Sequence, residues 1–261
     1  TLEQLTLVHP ADYWDQLVEL EPGGNDKPGL VALDGDTFMS RGSIDATLRG
    51  SGAACFAIEQ IEAGKAKNAF CPVRPPGHHA LSMVPMGFCL LNHVAVVARY
   101  AIESGYAEKV AILDFDVHHG NGTQAIFEES PEVLFVSSHQ MPLFPGSGSP
   151  QETGVGNIVN LPLSPGDGGE TFHAAWSGRG LPAVERFKPD LVLVSAGFDA
   201  HERDPLGGLL LKDEDYGWIT AEIRKLAESH CGGKIVSMLE GGYDLEALET
   251  ASAAHVQALT S

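Results

Sequence analysis

The stretch AILDFDVHHGNGTQ, residues 111–124, runs from an apolar, strand-like segment straight into Asp-Phe-Asp-Val-His-His-Gly-Asn-Gly. An apolar run without polar alternation is what a strand covered on both faces needs, and such strands belong to parallel sheets. The polar burst falls at the strand's carboxyl end, where open α/β sheets bind ligands. Asp116 and His118 are two residues apart, so an extended backbone turns both side chains the same way. A carboxylate and an imidazole converging from one strand end suit a divalent cation of hard-to-borderline character.

Working outward, residues 110–115, 133–137, 191–195 and 234–239 are short apolar runs rich in β-branched residues, and 68–73 is a weaker fifth. Segments of helical period lie between or beyond them at 44–62, 92–104, 170–187, 213–229 and 245–259. Alternation of this kind predicts an α/β fold, an open parallel β-sheet with helices on both faces, in a single domain spanning 1–261. CPVRPPGHHA, LDFDVHHGNG, VSSHQ, SAGFDAHERDP and MLEGGYD each follow a predicted strand, so five segments deliver polar groups to one rim.

Composition narrows the classes. A chain of 261 residues that is 43% hydrophobic can bury a large core. Its net charge of −19 argues against a nucleic-acid or anionic-membrane surface, because phosphates are repelled. Cys55, Cys71, Cys89 and Cys231 have no paired-ligand spacing and apolar surroundings, which reads as free thiols in a reducing compartment, hence the cytoplasm. No signal peptide and no apolar run long enough to cross a membrane is present. A homo-oligomer is compatible with all of this.

Asp116, His118 and Asp199 form a plausible metal set, since three protein ligands leave a position for water, as in catalytic zinc sites. The tandem His78 and His79, after a Pro-Pro-Gly turn, suit general acid–base work. Asp114 is the candidate acceptor that orients one of them, with Asn121 a neutral second. Tyr243, behind two glycines, is placed to hydrogen-bond a developing oxyanion. Phe88 and Phe144, in Gly/Pro loops, suggest walls of an apolar channel. Ser137 and Ser138 read as oxygen ligands of a structural cation. The glycine pairs at 146–148 and 154–156 do not join a strand to a helix, which argues against a phosphate loop.

Together RPPGHHA, GFCLLN, DFDVHHGNGTQ, SSHQ, FPGSG, SAGFDAHERDPLGG and EGGYD, in that order, resemble the zinc-dependent histone deacetylases of the arginase–deacetylase fold, in particular class II and bacterial amidohydrolase-like members. The resemblance implies zinc on Asp116, His118 and Asp199. It implies His79 as general base and then acid, His78 as its electrostatic partner on Asp114, and Asn121 as the class II residue at its position. Tyr243 would polarise the acetyl carbonyl, Phe88 and Phe144 would line a lysine tunnel, and the Gly87 carbonyl would accept the substrate amide hydrogen. Potassium would sit on Asp114, Ser137 and Ser138 with backbone oxygens of Asp116 and His118, and a second, peripheral ion around Phe127, Ser130 and Val133.

The implied substrate is an acylated lysine or a small acylated amine. Leu206, neutral where a polyamine-selective relative is acidic, ranks an acetylpolyamine second. A binuclear manganese ureohydrolase is the remote third reading, disfavoured by the neutral Asn121. The chain opens at TLEQLTLVHPADYW, already helix-like and without the family's N-terminal strand and HP-x-R-P-like loop. The fold is therefore expected to be N-terminally short, and the C-terminus complete.

Overall fold

The computed structural model describes residues 1–23 and 29–261. Six strands form one sheet: β3 (Asn68–Cys71), β4 (Val110–Asp114), β5 (Val133–Gln140), β6 (Ile158–Leu163), β7 (Leu191–Ala196) and β8 (Ile235–Leu239). Their order is β3-β8-β7-β4-β5-β6 and every pairing is parallel. A small antiparallel pair, β1 (Leu30–Ala32) and β2 (Phe38–Ser40), precedes them.

Alternation along β4 shows why its sequence lacks polar residues. Val110 and Ile112 pack into one apolar layer and Ala111 and Leu113 into the other, so both faces are buried. The first layer includes α3 (Ser43–Glu62), α4 (His93–Glu103) and, through Phe127, the short α5 (Asn121–Phe127), and the second includes α8 (Asp213–Cys231) and α9 (Leu245–Thr260). The N-terminal segment is helical, with α1 (Leu2–Leu5) and α2 (Ala11–Leu20).

Strand order fixes where a ligand can bind. The chain leaves β4 toward β5 and β6 at one edge, then returns through β7 toward β8 on the other side. The connections therefore diverge between β4 and β7, and the crevice beyond their carboxyl ends is the topological switch point. Asp116 and His118 follow β4, and Asp199 follows β7.

Three features depart from the sequence reading. β5 continues through Gln140, so SSHQ belongs to the strand rather than to a loop beyond it. β6 was not foreseen, because IVNLPL carries a proline at Pro162, which pattern reading counts against a strand. Residues 170–187 are not one helix. A π-turn, Trp176–Gly180, separates α6 (Gly169–Ala175) from α7 (Leu181–Phe187). Trp176 is fully buried, and a side chain at Gly180 would collide with its ring, so the wider turn accommodates the indole.

Candidate metal centre and catalytic cleft

Two of the three proposed metal ligands come from the loop after β4 and the third from the loop after the neighbouring β7. Ligand atoms of Asp116, His118 and Asp199 lie within 4.8 Å of one another. His118 Nδ1 is 3.1 Å from Asp116 Oδ1 and 3.2 Å from Asp199 Oδ2. Backbone donors aim the carboxylates: Gly241 N–H donates to Asp116 Oδ2 and Val117 N–H to Asp199 Oδ1, each at 2.8 Å. A side chain at Gly241 would strike both carboxylates, so glycine there is a packing requirement.

The donor set fits a cation. Asp116 and Asp199 are fully buried, and among the described residues no lysine or arginine pairs with them; His118 bridges the two, and His78 Nε2 lies 3.8 Å from Asp116. Burial alone would lower the His118 pKa, but hydrogen bonds to Asp116 and Asp199 raise it to about 10. Burial and the neighbouring Asp116 charge push Asp199 up to about 6. Two carboxylates and an imidazole gathered out of water are a donor set suited to a divalent cation.

The tandem histidines have different partners. His78 Nδ1 lies 3.0 Å from Asp114 Oδ2, whereas His79 Nδ1 lies 2.7 Å from Asn121 Oδ1. Burial would lower the His78 pKa, but Asp114, Asp116 and Glu240 reverse this and hold it well above the usual value. Burial and the adjacent His78 charge hold His79 well below it. The pair is therefore split into a proton-holding and a proton-accepting imidazole, with ring centroids 4.1 Å apart.

A cavity of about 220 Å³ opens over this centre. His78, His79, Gly87, Phe88, Asp116, His118, Phe144, Leu206 and Tyr243 all line it. Phe144 packs edge-on to His79 with centroids 5.1 Å apart, and Phe88 does the same to Tyr243 at 5.9 Å. The Gly87 carbonyl accepts from Cys89 Sγ at 3.3 Å. Asp199 lies behind Gly241 rather than in the wall.

Asp114, Ser137 and Ser138, read as ligands of a structural cation, lie on β4 and β5. Asp114 and Ser137 are register partners on β4 and β5, and Ser137 Oγ hydrogen-bonds His139 Nδ1 at 3.0 Å, with Ser138 buried beside it. At the peripheral position the carbonyls of Phe127, Ser130 and Val133 converge on one atom. Asn157 Nδ2 lies 2.7, 2.9 and 2.8 Å from them, respectively.

Sequence reasoning missed several residues here. Glu240, at the end of β8, is fully buried and accepts from Gly77 N–H at 2.6 Å, His78 N–H at 3.1 Å and Ser195 Oγ at 2.9 Å. In return Arg74 donates to the Glu240 and Gly242 carbonyls at 3.2 and 2.9 Å, with its guanidinium 5.3 Å from the Tyr243 ring centre. The loops carrying His79 and Tyr243 are thus clamped in both directions. Asp204 accepts from Tyr243 N–H at 2.7 Å, and Asp36 reaches the cavity from the β1–β2 turn. Glu240 carried the available signal, an acidic residue directly after an apolar strand, but the glycines and tyrosine beside it drew the assignment.

A profile described as "Histone deacetylase domain" matches residues 1–259. The chain belongs to the histone deacetylase family. It is 40% identical over 97% of its length to "Histone deacetylase 10, chloroplastic" of Oryza sativa subsp. japonica, of which it covers 59%. It is also 40% identical to the "Probable deacetylase" of Archaeoglobus fulgidus, over 94% of this chain and 68% of that one. The "Histone deacetylase-like amidohydrolase" of Pseudomonas aeruginosa is 40% identical, over 92% of this chain and 63% of that one. The crystal structure of the HDA15 HD domain matches with a TM-score of 0.91 and 36% identity, over 99% of this chain and 72% of that one. The parallel six-stranded sheet is therefore the arginase–deacetylase fold expected for this family.

Proposed function

We propose that this chain is a metal-dependent amidohydrolase that removes an acetyl or related acyl group from the amine of acyl-lysine or a similar acylated amine. One observation carries the reading: a proton-accepting histidine, a cation-seeking trio and a phenol line or underlie one cavity with aromatic walls. Membership of the histone deacetylase family supports it.

Asp116, His118 and Asp199 would hold the ion, zinc in our reading, which when bound supplies Lewis acidity toward the scissile carbonyl and lowers the pKa of water. With Nδ1–H donating a hydrogen bond to Asn121 Oδ1, His79 keeps Nε2 free to take a proton from the attacking water. The same nitrogen then returns that proton to the amine as the C–N bond breaks. His78, on Asp114, keeps positive charge beside His79. The Tyr243 hydroxyl donates to the developing oxyanion; burial holds its pKa well above the usual value, so it stays a donor. Phe88 and Phe144 enclose the alkyl stem, and the neutral Leu206 at the mouth favours acyl-lysine over an acylated polyamine.

We further assign a structural potassium ion to Asp114, Ser137 and Ser138 with the Asp116 and His118 carbonyls. A reducing, cytoplasmic setting is supported by four buried free cysteines. Among the described residues, no helix is long and apolar enough to cross a membrane. The test is turnover of an acetyl-lysine peptide against acetylated polyamines, with and without a chelator. Chelator-sensitive turnover that favours the peptide is expected, and chelator-insensitive turnover would overturn the mechanism.

A further inference from the structure

The side-chain amide of Asn121 touches two groups. Its Oδ1 faces His79 Nδ1 at 2.7 Å, and its Nδ2 faces Met86 Sδ at 3.4 Å. A carboxamide is nearly isosteric when turned over, so shape does not choose between its two orientations. The choice matters because the two faces are chemically opposite. With Oδ1 toward the ring, His79 carries its proton on Nδ1 and presents a lone pair at Nε2. With Nδ2 toward the ring, Nδ1 must accept, the proton moves to Nε2, and His79 can no longer take one.

The contact with His79 alone does not settle this, since either orientation makes one neutral hydrogen bond once the tautomer follows. Met86 breaks the tie. A thioether accepts hydrogen bonds and never donates them, so it welcomes Nδ2–H and repels Oδ1. We propose that Met86 is a positioning residue that fixes the Asn121 amide and, through it, the base-competent tautomer of His79.

The thioether is held by its backbone. Met86 N–H donates to the Cys89 carbonyl at 3.1 Å and Cys89 N–H to the Met86 carbonyl at 2.9 Å, closing a tight turn. The turn's two central residues, Gly87 and Phe88, have φ of 55° and 68°. Such a conformation is strained for phenylalanine, and Phe88 N–H is anchored on Thr37 Oγ1 at 3.1 Å. A side chain at Gly87 would collide with the His79 ring, so this turn packs directly against the imidazole it helps to orient. Met86 acts on the base through Asn121 and reaches no reacting atom.

The inference rests on the role of His79 proposed above, and the test separates the two. Met86→Leu conserves volume and removes the acceptor. It is expected to lower kcat by about three- to tenfold, with KM within about twofold of the parent. A carboxylate is the same either way round and needs no orienting partner, so adding Met86→Leu to Asn121→Asp should leave the rate of Asn121→Asp unchanged. A second readout needs neither metal nor turnover. In metal-free protein labelled with ¹⁵N-histidine, His79 should be the Nδ1–H tautomer in the parent and a mixture in Met86→Leu. Equal losses of kcat in both backgrounds, or an unchanged His79 tautomer in Met86→Leu, would overturn the proposal. Absence of deacetylation by the parent itself would instead count against the proposed function and leave the ¹⁵N result to stand alone.

Discussion

His79 and Asn121 meet through a 2.7 Å contact between imidazole Nδ1 and amide Oδ1, while the adjacent His78 is bound to a carboxylate. Neighbouring histidines of one loop are therefore given opposite protonation tasks by their partners, Asp114 at the end of β4 and Asn121 at the start of α5. Asn121→Ala removes the acceptor that keeps the proton on Nδ1. We expect kcat to fall by roughly 10- to 100-fold with KM little changed, because only proton transfer is affected. Steady-state kinetics on an acetyl-lysine peptide checks this, and a rise in KM at constant kcat would assign Asn121 to substrate binding instead.

Tyr243 stands in the cavity wall without being one of the three metal ligands. Tyr243→Phe should keep full metal content while turnover drops by about 10²- to 10³-fold, the usual cost of losing one oxyanion donor. Metal analysis and kinetics on the same preparation test both halves, and wild-type turnover would remove Tyr243 from the mechanism.

Glu240 is the residue whose loss should disturb the cleft most without touching substrate. Glu240→Ala strands the N–H groups of Gly77 and His78 and the Ser195 hydroxyl in a buried place. Each such orphan costs about 1–3 kcal/mol, so the variant should lose several kcal/mol of stability. Denaturant unfolding measures this directly, and an unchanged midpoint would show that the clamp is dispensable.

Stability should also fall in mild acid. Burial lowers His9 from 6.5 to about 4 and His255 to about 3. His9 bridges the Ser82 carbonyl and Asn92 N–H, and His255 lies between the hydroxyls of Thr220 and Ser237. Both are neutral in the fold but take up protons near pH 6.5 once unfolded. Between pH 6.5 and about 4 the unfolded chain thus binds more protons, and stability is lost as pH falls through that window. Each contributes a slope approaching about 1.4 kcal/mol per pH unit. Unfolding of His255→Gln at pH 7.5 and 5 should show a shallower acid loss than wild type, and an identical slope would contradict the assignment.

The sheet's inner strands were legible because residues such as Ile112 and Leu113 are apolar toward both faces, and the candidate metal trio because Asp116, His118 and Asp199 closely follow such strands. Tyr243 and the two phenylalanines stood out for a related reason, as side chains in glycine- or proline-rich turns. β6 was hidden by Pro162 and the π-turn by the need to seat Trp176, which depends on a tertiary neighbour rather than on periodicity. Glu240, Arg74 and Met86 were not recognised because their roles lie in partners far along the chain: Glu240 meets Gly77, Arg74 meets Gly242, and Met86 meets Asn121. Spacing along a sequence reports groups that share a loop, and says little about groups that meet only when loops are clamped together.

We propose that a single ion on Asp116, His118 and Asp199 makes this cleft a hydrolase. Titration of metal-free protein with zinc, following bound metal and acetyl-lysine peptide turnover on the same samples, distinguishes this from a metal-independent cleft. Activity should rise in proportion to bound zinc and saturate at one ion per chain, with Asp199→Ala neither binding at that site nor turning over. Turnover in the metal-free protein, or activity that requires two ions per chain, would refute a single-ion catalytic site.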